Sequence, residues 1–146
     1  NNVDPDYVVM GEARSYSYEK IEKAVNLVIN GAKLIGTNPD VNGPMENGIA
    51  PATAALIAPV EIAAGKKAYF VGKPNPLMMR SALKKLRCQR EETVIIGDRM
   101  DTDIIAGIES EIDTCLVLSG ITALKDIHHF AYGPHFVLHG VKDIIK

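Results

Sequence analysis

The sequence predicts an α/β fold with parallel strands, and three observations carry that prediction. Short β-branched runs alternate with amphipathic stretches along the whole chain, the pattern of strands joined by crossover helices. Polar loops follow three of the strand-like runs, at 37–40, 72–74 and 97–103, and open α/β sheets bind ligands beyond such strand ends. At 146 residues and 47% hydrophobic content, the chain can bury a core as one domain or two small lobes.

The elements follow in order. Tyr7 to Met10 reads as a strand, and Tyr18 to Asn30 as a helix, with Ile21, Ala24, Val25 and Val28 at helical spacing. Ser17 is its candidate N-cap and Gly31 its stop. Lys33 to Gly36 gives a second strand. In TNPDVNGPMENG, residues 37–48, the residues Pro39, Gly43, Pro44 and Gly48 are expected to forbid regular structure. A small-residue helix is expected over Thr53 to Ala64, limited or kinked at Pro59. Ala68 to Val71 is a third strand, broken by the segment 72–76. A helix from Leu77 to Leu86 carries Met78 and Met79 as core residues. Thr93 to Ile96 reads as a buried strand leading into the acidic loop GDRMDTD, with a helix starting near Thr102. Thr114 to Leu118 is the next strand, SGIT a turn, and Phe136 to Leu138 the last strand. A lobe boundary is expected near Gly65-Lys66-Lys67.

Composition excludes several classes of function. With 16 basic and 18 acidic residues, the formal charge of -2 gives no global field for nucleic acid or an anionic membrane. No run approaches the roughly 18 consecutive apolar residues of a membrane span, and the N-terminus lacks the regions of a signal peptide. The chain therefore reads as soluble and cytoplasmic, although it opens without Met, straight into a strand-like run, as though entered part-way. Cys88 and Cys115 form no Cys-x-x-Cys motif and read as reduced, packed thiols. His128, His129, His135 and His139 show no zinc spacing. A nucleotide-binding domain is disfavoured, because no Gly-x-Gly-x-x-Gly or P-loop sequence is present.

The chemistry concentrates in two loops. Asp98 lies two residues past Ile96, where a carboxylate is costly unless paired or metal-bound. Mg²⁺ takes one or two protein carboxylates and completes its shell with water and phosphate, which suits Asp98. Asp101 can equally cap the helix expected at Thr102, with Asp103 in its first turn, and needs no ligand to do so. Lys73, in a loop stiffened by Pro74 and Pro76, reads either as a solvated turn lysine or as the cation that neutralises a bound phosphate.

VGKPNP at 71–76 followed by VIIGDRMDTD at 94–103 resembles the third and fourth motifs of the haloacid dehalogenase (HAD) superfamily, specifically its NagD-type phosphatases. GEARSYS at 11–17, TNPD at 37–40 and LVLSGIT at 116–122 are similar to that subfamily too, so the likeness covers nearly the whole chain. The resemblance implies a Rossmann-like core with an inserted α/β cap lobe, and Mg²⁺-dependent hydrolysis of phosphate monoesters through a phosphoaspartyl intermediate. By resemblance, residues 1–66 are part of the cap and residues 67–146 the second half of the core. Asp98 would then be the metal ligand, Asp103 a carboxylate orienting metal-bound water, and Lys73 the third-motif lysine. Arg99, Met100 and Asp101 would lie in the phosphate-side loop, with Asn38 and Asp40 meeting the substrate's leaving group. The implied partner is a small phosphorylated metabolite such as a sugar phosphate or nucleotide monophosphate, with homo-oligomers through the cap.

One departure matters. The family nucleophile is the first Asp of an Asp-x-Asp-Gly-Thr segment, and its second motif is a Ser or Thr after the next strand; neither occurs in these residues. Asp4-Pro5-Asp6 precedes a strand instead of ending one. In the family the nucleophile strand lies beside the strand at Thr93–Ile96, so an open edge is expected there. The isolated chain is expected to hydrolyse phosphate esters negligibly. The alternative reading is a non-catalytic phosphate- or metal-binding or interaction module that pairs this edge with a partner.

Overall fold

A computed structural model describes residues 4–144. The chain divides into two compact units, one ending at Gly72 and the other beginning at Lys73. Residues 67–72 go with the first unit, because β5 (Tyr69–Phe70) pairs with β2 (Lys33–Gly36).

In the first unit β1 (Tyr7–Met10), β2 and β5 form a parallel sheet in the order β1-β2-β5. One face packs against α1 (Tyr18–Ile29) and α2 (Thr53–Ala64): Val8, Met10, Leu34 and Phe70 meet Ala24, Val28, Ile57 and Val60. The Ser17 side chain accepts the Lys20 N–H and so caps α1 (3.4 Å). α2 spans the expected residues and continues through Pro59. Ile57 and Val60, both fully buried, anchor it on either side of the proline; packing outweighs the lost hydrogen bond.

The segment expected to lack regular structure instead forms an antiparallel hairpin of β3 (Asn42–Met45) and β4 (Gly48–Pro51). Its two-residue loop, Glu46–Asn47, closes on the Met45–Gly48 pair. Pro44 and Pro51 face Ile49 and Asn42, in the pairs that alternate with the hydrogen-bonded ones, where a missing N–H costs no ladder bond.

The second unit is a parallel sheet in the order β6-β7-β8, from β6 (Val94–Gly97), β7 (Asp113–Val117) and β8 (Phe136–Leu138). Met100, Ile104 and Leu116 form its buried centre, flanked by Ile108, Leu118, Ile127, Phe130 and Tyr132. Two expectations are corrected here. β6 is an edge strand among the described residues, so Val94 and Ile96 remain 45% and 40% exposed. α3 (Pro76–Leu86), started by the Asn75 side chain accepting the Leu77 N–H (2.9 Å), buries no residue, and Met78 is exposed. Together, α3 and β6 line an apolar groove of about 280 Å³.

Cys115 is buried, but Cys88 is exposed, so only one of the two thiols is packed. No described helix is long and apolar enough to cross a membrane.

Candidate active site

β6 ends at Gly97, and the chain then winds into a π-helical turn, Met100–Ile104, that runs directly into α4 (Ile105–Glu109). The helical winding thus starts two residues before the expected Thr102, with Arg99 at the capping position. Asp101 consequently sits inside the turn and does not cap it. Its carboxylate accepts two guanidinium N–H bonds from Arg99 (2.9 and 2.6 Å), which hold its carboxyl below the usual carboxylate range.

No side chain caps the turn, and Asp103 instead reaches back to the backbone that precedes it. Its Oδ2 accepts the backbone N–H of Asp98 (3.2 Å) and of Arg99 (3.1 Å), and its Oδ1 pairs with the Lys73 ammonium. The Asp103 side chain is 6% exposed and that of Lys73 40%, so the pair is buried at the acid end only. A side chain at Gly97 would overlap the Asp103 carboxylate, so glycine is required there by close approach. The loops at 73–74 and 97–103 are thereby brought together.

Asp98 is held from another direction. Ile121 N–H donates to Asp98 Oδ2 (2.8 Å), and Thr122 N–H donates to the Asp98 carbonyl (3.0 Å). Thr122 Oγ1 accepts the Met100 N–H (3.3 Å), and the Tyr132 hydroxyl donates to the Met100 carbonyl (3.1 Å). The Met100 side chain is fully buried core, with its backbone groups already engaged. Burial, and the nearby Asp101 charge, push the Tyr132 hydroxyl pKa up.

Asn38 and Asp40 belong to the first unit. There Asn38 Nδ2 donates to Asp40 Oδ2 (2.6 Å) and to Glu12 Oε1 (3.4 Å), while Thr53 Oγ1 donates to Asn38 Oδ1. The Thr37 and Thr53 hydroxyls share a further hydrogen bond (3.1 Å). This polar cluster lies just beyond the carboxyl ends of β1 and β2, at the start of α2. Sequence reasoning picked out Asn38 and Asp40 but missed Glu12 and the fully buried Thr53. It also assigned no role to Thr122, although LVLSGIT stood out as a segment. His135 Nδ1 accepts the Thr114 N–H (3.1 Å), and the rings of His128 and His129 lie 4.1 Å apart.

A HAD-hydrolase-like family model matches residues 70–144, which include β6, the acidic turn, β7 and β8. The chain belongs to the HAD-like hydrolases. It is 46% identical over 143 residues to the dihydroxyacetone phosphatase of Corynebacterium glutamicum, covering 98% of this chain and 52% of that protein. It is 44% identical over 143 residues to the ribonucleotide monophosphatase NagD of Escherichia coli, covering 98% and 56%. Among solved structures, NagD from E. coli superposes with a TM-score of 0.88 at 45% identity, covering 95% of this chain and 54% of that one. The 4-nitrophenylphosphatase of Thermotoga maritima superposes at 0.90 with 33% identity, covering 97% and 54%. The chain spans about half the length of the curated relatives it matches.

For a HAD-like hydrolase the donor set bears on Mg²⁺. Among the described residues no group of three or more His, Cys, Asp and Glu side chains converges to hold a metal. Asp103 has both oxygens engaged and Asp101 is tied to Arg99. Asp98 Oδ1 alone among the three carboxylates' oxygens near β6 has no hydrogen bond to a described residue. One hard oxygen from this chain fits a cation that takes only one or two protein carboxylates.

Proposed function

We propose that the second unit carries half of a phosphatase active site, as the second half of a HAD core, and that the parent protein hydrolyses small phosphate monoesters with Mg²⁺. The observation that carries this reading is the Lys73–Asp103 pair set beside Asp98 at the carboxyl end of β6. Asp98 would hold the cation, which supplies a Lewis acid for the phosphoryl oxygens when bound. Lys73, fixed by Asp103, would balance the charge of the phosphate and order the attacking acid. Asp103 would orient metal-bound water, and it holds Lys73 and the backbone of residues 98 and 99 beside Asp98.

The first unit would be part of the cap, with Asn38 and Asp40 toward the leaving group. The relatives' names, a dihydroxyacetone phosphatase, a ribonucleotide monophosphatase and acid sugar phosphatases, support a sugar-phosphate or nucleotide-monophosphate substrate. These 146 residues contain no Asp-x-Asp-Gly-Thr segment. Without a carboxylate to accept the phosphoryl group the covalent route is closed, and the chain by itself hydrolyses phosphate esters negligibly. Steady-state hydrolysis of 4-nitrophenyl phosphate by the purified chain tests this: no turnover above the Mg²⁺ buffer is expected. Sustained Mg²⁺-dependent turnover that Asp98→Asn abolishes would overturn it.

The exposed edge of β6 favours a second reading, an interaction module that recruits a partner strand. The mass of the cellular protein separates the two. A species near 15.8 kDa supports the module; a much longer one with an upstream Asp-x-Asp-Gly-Thr supports the enzyme.

A further inference from the structure

We propose that the turn after β7, residues Ser119 to Thr122, is a positioning device for Asp98, holding one carboxylate oxygen so that the other is presented to the cation. The inference rests on the reading of Asp98 as the cation's ligand. Three contacts make the device. Ile121 N–H takes Asp98 Oδ2 (2.8 Å), Thr122 N–H takes the Asp98 carbonyl (3.0 Å), and Thr122 Oγ1 takes the Met100 N–H (3.3 Å). Thr122, 8% exposed, thus bridges the residues on either side of Arg99.

Gly120 closes the arrangement. A Cβ there would overlap the Asp98 carboxylate, although the residue itself is exposed and has no core to fill. Close approach to Asp98 is what the position requires. With Oδ2 already accepting an amide, Oδ1, which has no hydrogen bond to a described residue, is the oxygen presented to the cation. A single-oxygen contact suits Mg²⁺ better than Ca²⁺, which often takes both oxygens of a carboxylate. Fixing the side chain beforehand also removes rotamer entropy that the cation would otherwise have to overcome.

The test uses the ¹⁵N-labelled 146-residue chain with Mg²⁺ alone as the probe. Hydrogen exchange is read at the Ile121 and Thr122 amides, and Mg²⁺ affinity from the amide shifts of Asp98 and Ile121. In the wild type both amides are expected to be protected and the shifts to saturate. Gly120→Ala is expected to lose that protection and to weaken Mg²⁺ binding by roughly tenfold, the low end for disturbing a ligand's support. Thr122→Val, which keeps the side-chain shape, is expected to weaken binding severalfold; it decides the matter by the same readouts if Gly120→Ala does not fold. Variants that lose protection yet bind Mg²⁺ like the wild type overturn the positioning role and leave Asp98's role standing. A folded wild type whose shifts ignore Mg²⁺ overturns the assignment of Asp98, and the positioning role with it.

Discussion

Asp98, Asp101 and Asp103 share one side-chain chemistry and differ in the fold, because each has different partners. Asp101 was readable as a helix cap, but the winding starts at Met100 and the neighbouring Arg99 guanidinium claims its carboxylate. No local pattern signals a π turn, so this part of the site was not legible. Asp103 and Lys73 were legible as chemistry, yet thirty residues separate them and only the fold shows that they pair. Lys73→Met should leave the Asp103 carboxylate buried without its partner. A stability loss of about 2 kcal/mol is expected in urea unfolding, below the full cost for a wholly buried pair because Lys73 is partly exposed. The Arg99 contact lowers the Asp101 pKa, so its contribution is present above the ordinary carboxylate range and is lost as pH falls through the lowered value. Asp101→Asn should therefore cost under about 1 kcal/mol at neutral pH, since the pair is half exposed. Unfolding repeated in acid should show that difference shrinking toward zero.

β1, β2, α2 and β8 have the expected bounds, α2 as a run of small and apolar residues and not by helical periodicity. The β3–β4 hairpin is not legible in the sequence because its prolines signal a break, whereas a two-stranded ribbon tolerates them in alternate pairs. β6 reads as buried from its apolar residues alone, whereas the open edge expected from the absent nucleophile segment is what the sheet shows among the described residues. In α2, Pro59 is exposed and contributes nothing to the core. Pro59→Ala should restore one helical hydrogen bond and stabilise the protein by about 1–3 kcal/mol, measured as a rise in Tm. Ile57→Ala, two residues earlier but fully buried, should cost about 2–5 kcal/mol by the same measurement.

At the scale of the whole molecule, the edge of β6, unpaired among the described residues and with Val94 and Ile96 exposed, is a template for strand capture. Val94→Lys should lower light scattering during incubation at tens of micromolar, with little change in Tm, because the side chain is already 45% exposed. The same edge borders the acidic turn. Of the carboxylate oxygens of Asp98, Asp101 and Asp103, Asp98 Oδ1 is the one with no hydrogen bond to a described residue, and its proposed role as the cation's ligand can be tested without any turnover. Calorimetric titration of Mg²⁺ into the wild type, Asp98→Asn and Asp101→Asn is the most direct measurement. Saturable one-site binding is expected in the wild type and in Asp101→Asn, and none in Asp98→Asn. Binding that survives Asp98→Asn, or that disappears in a folded Asp101→Asn, would contradict the assignment.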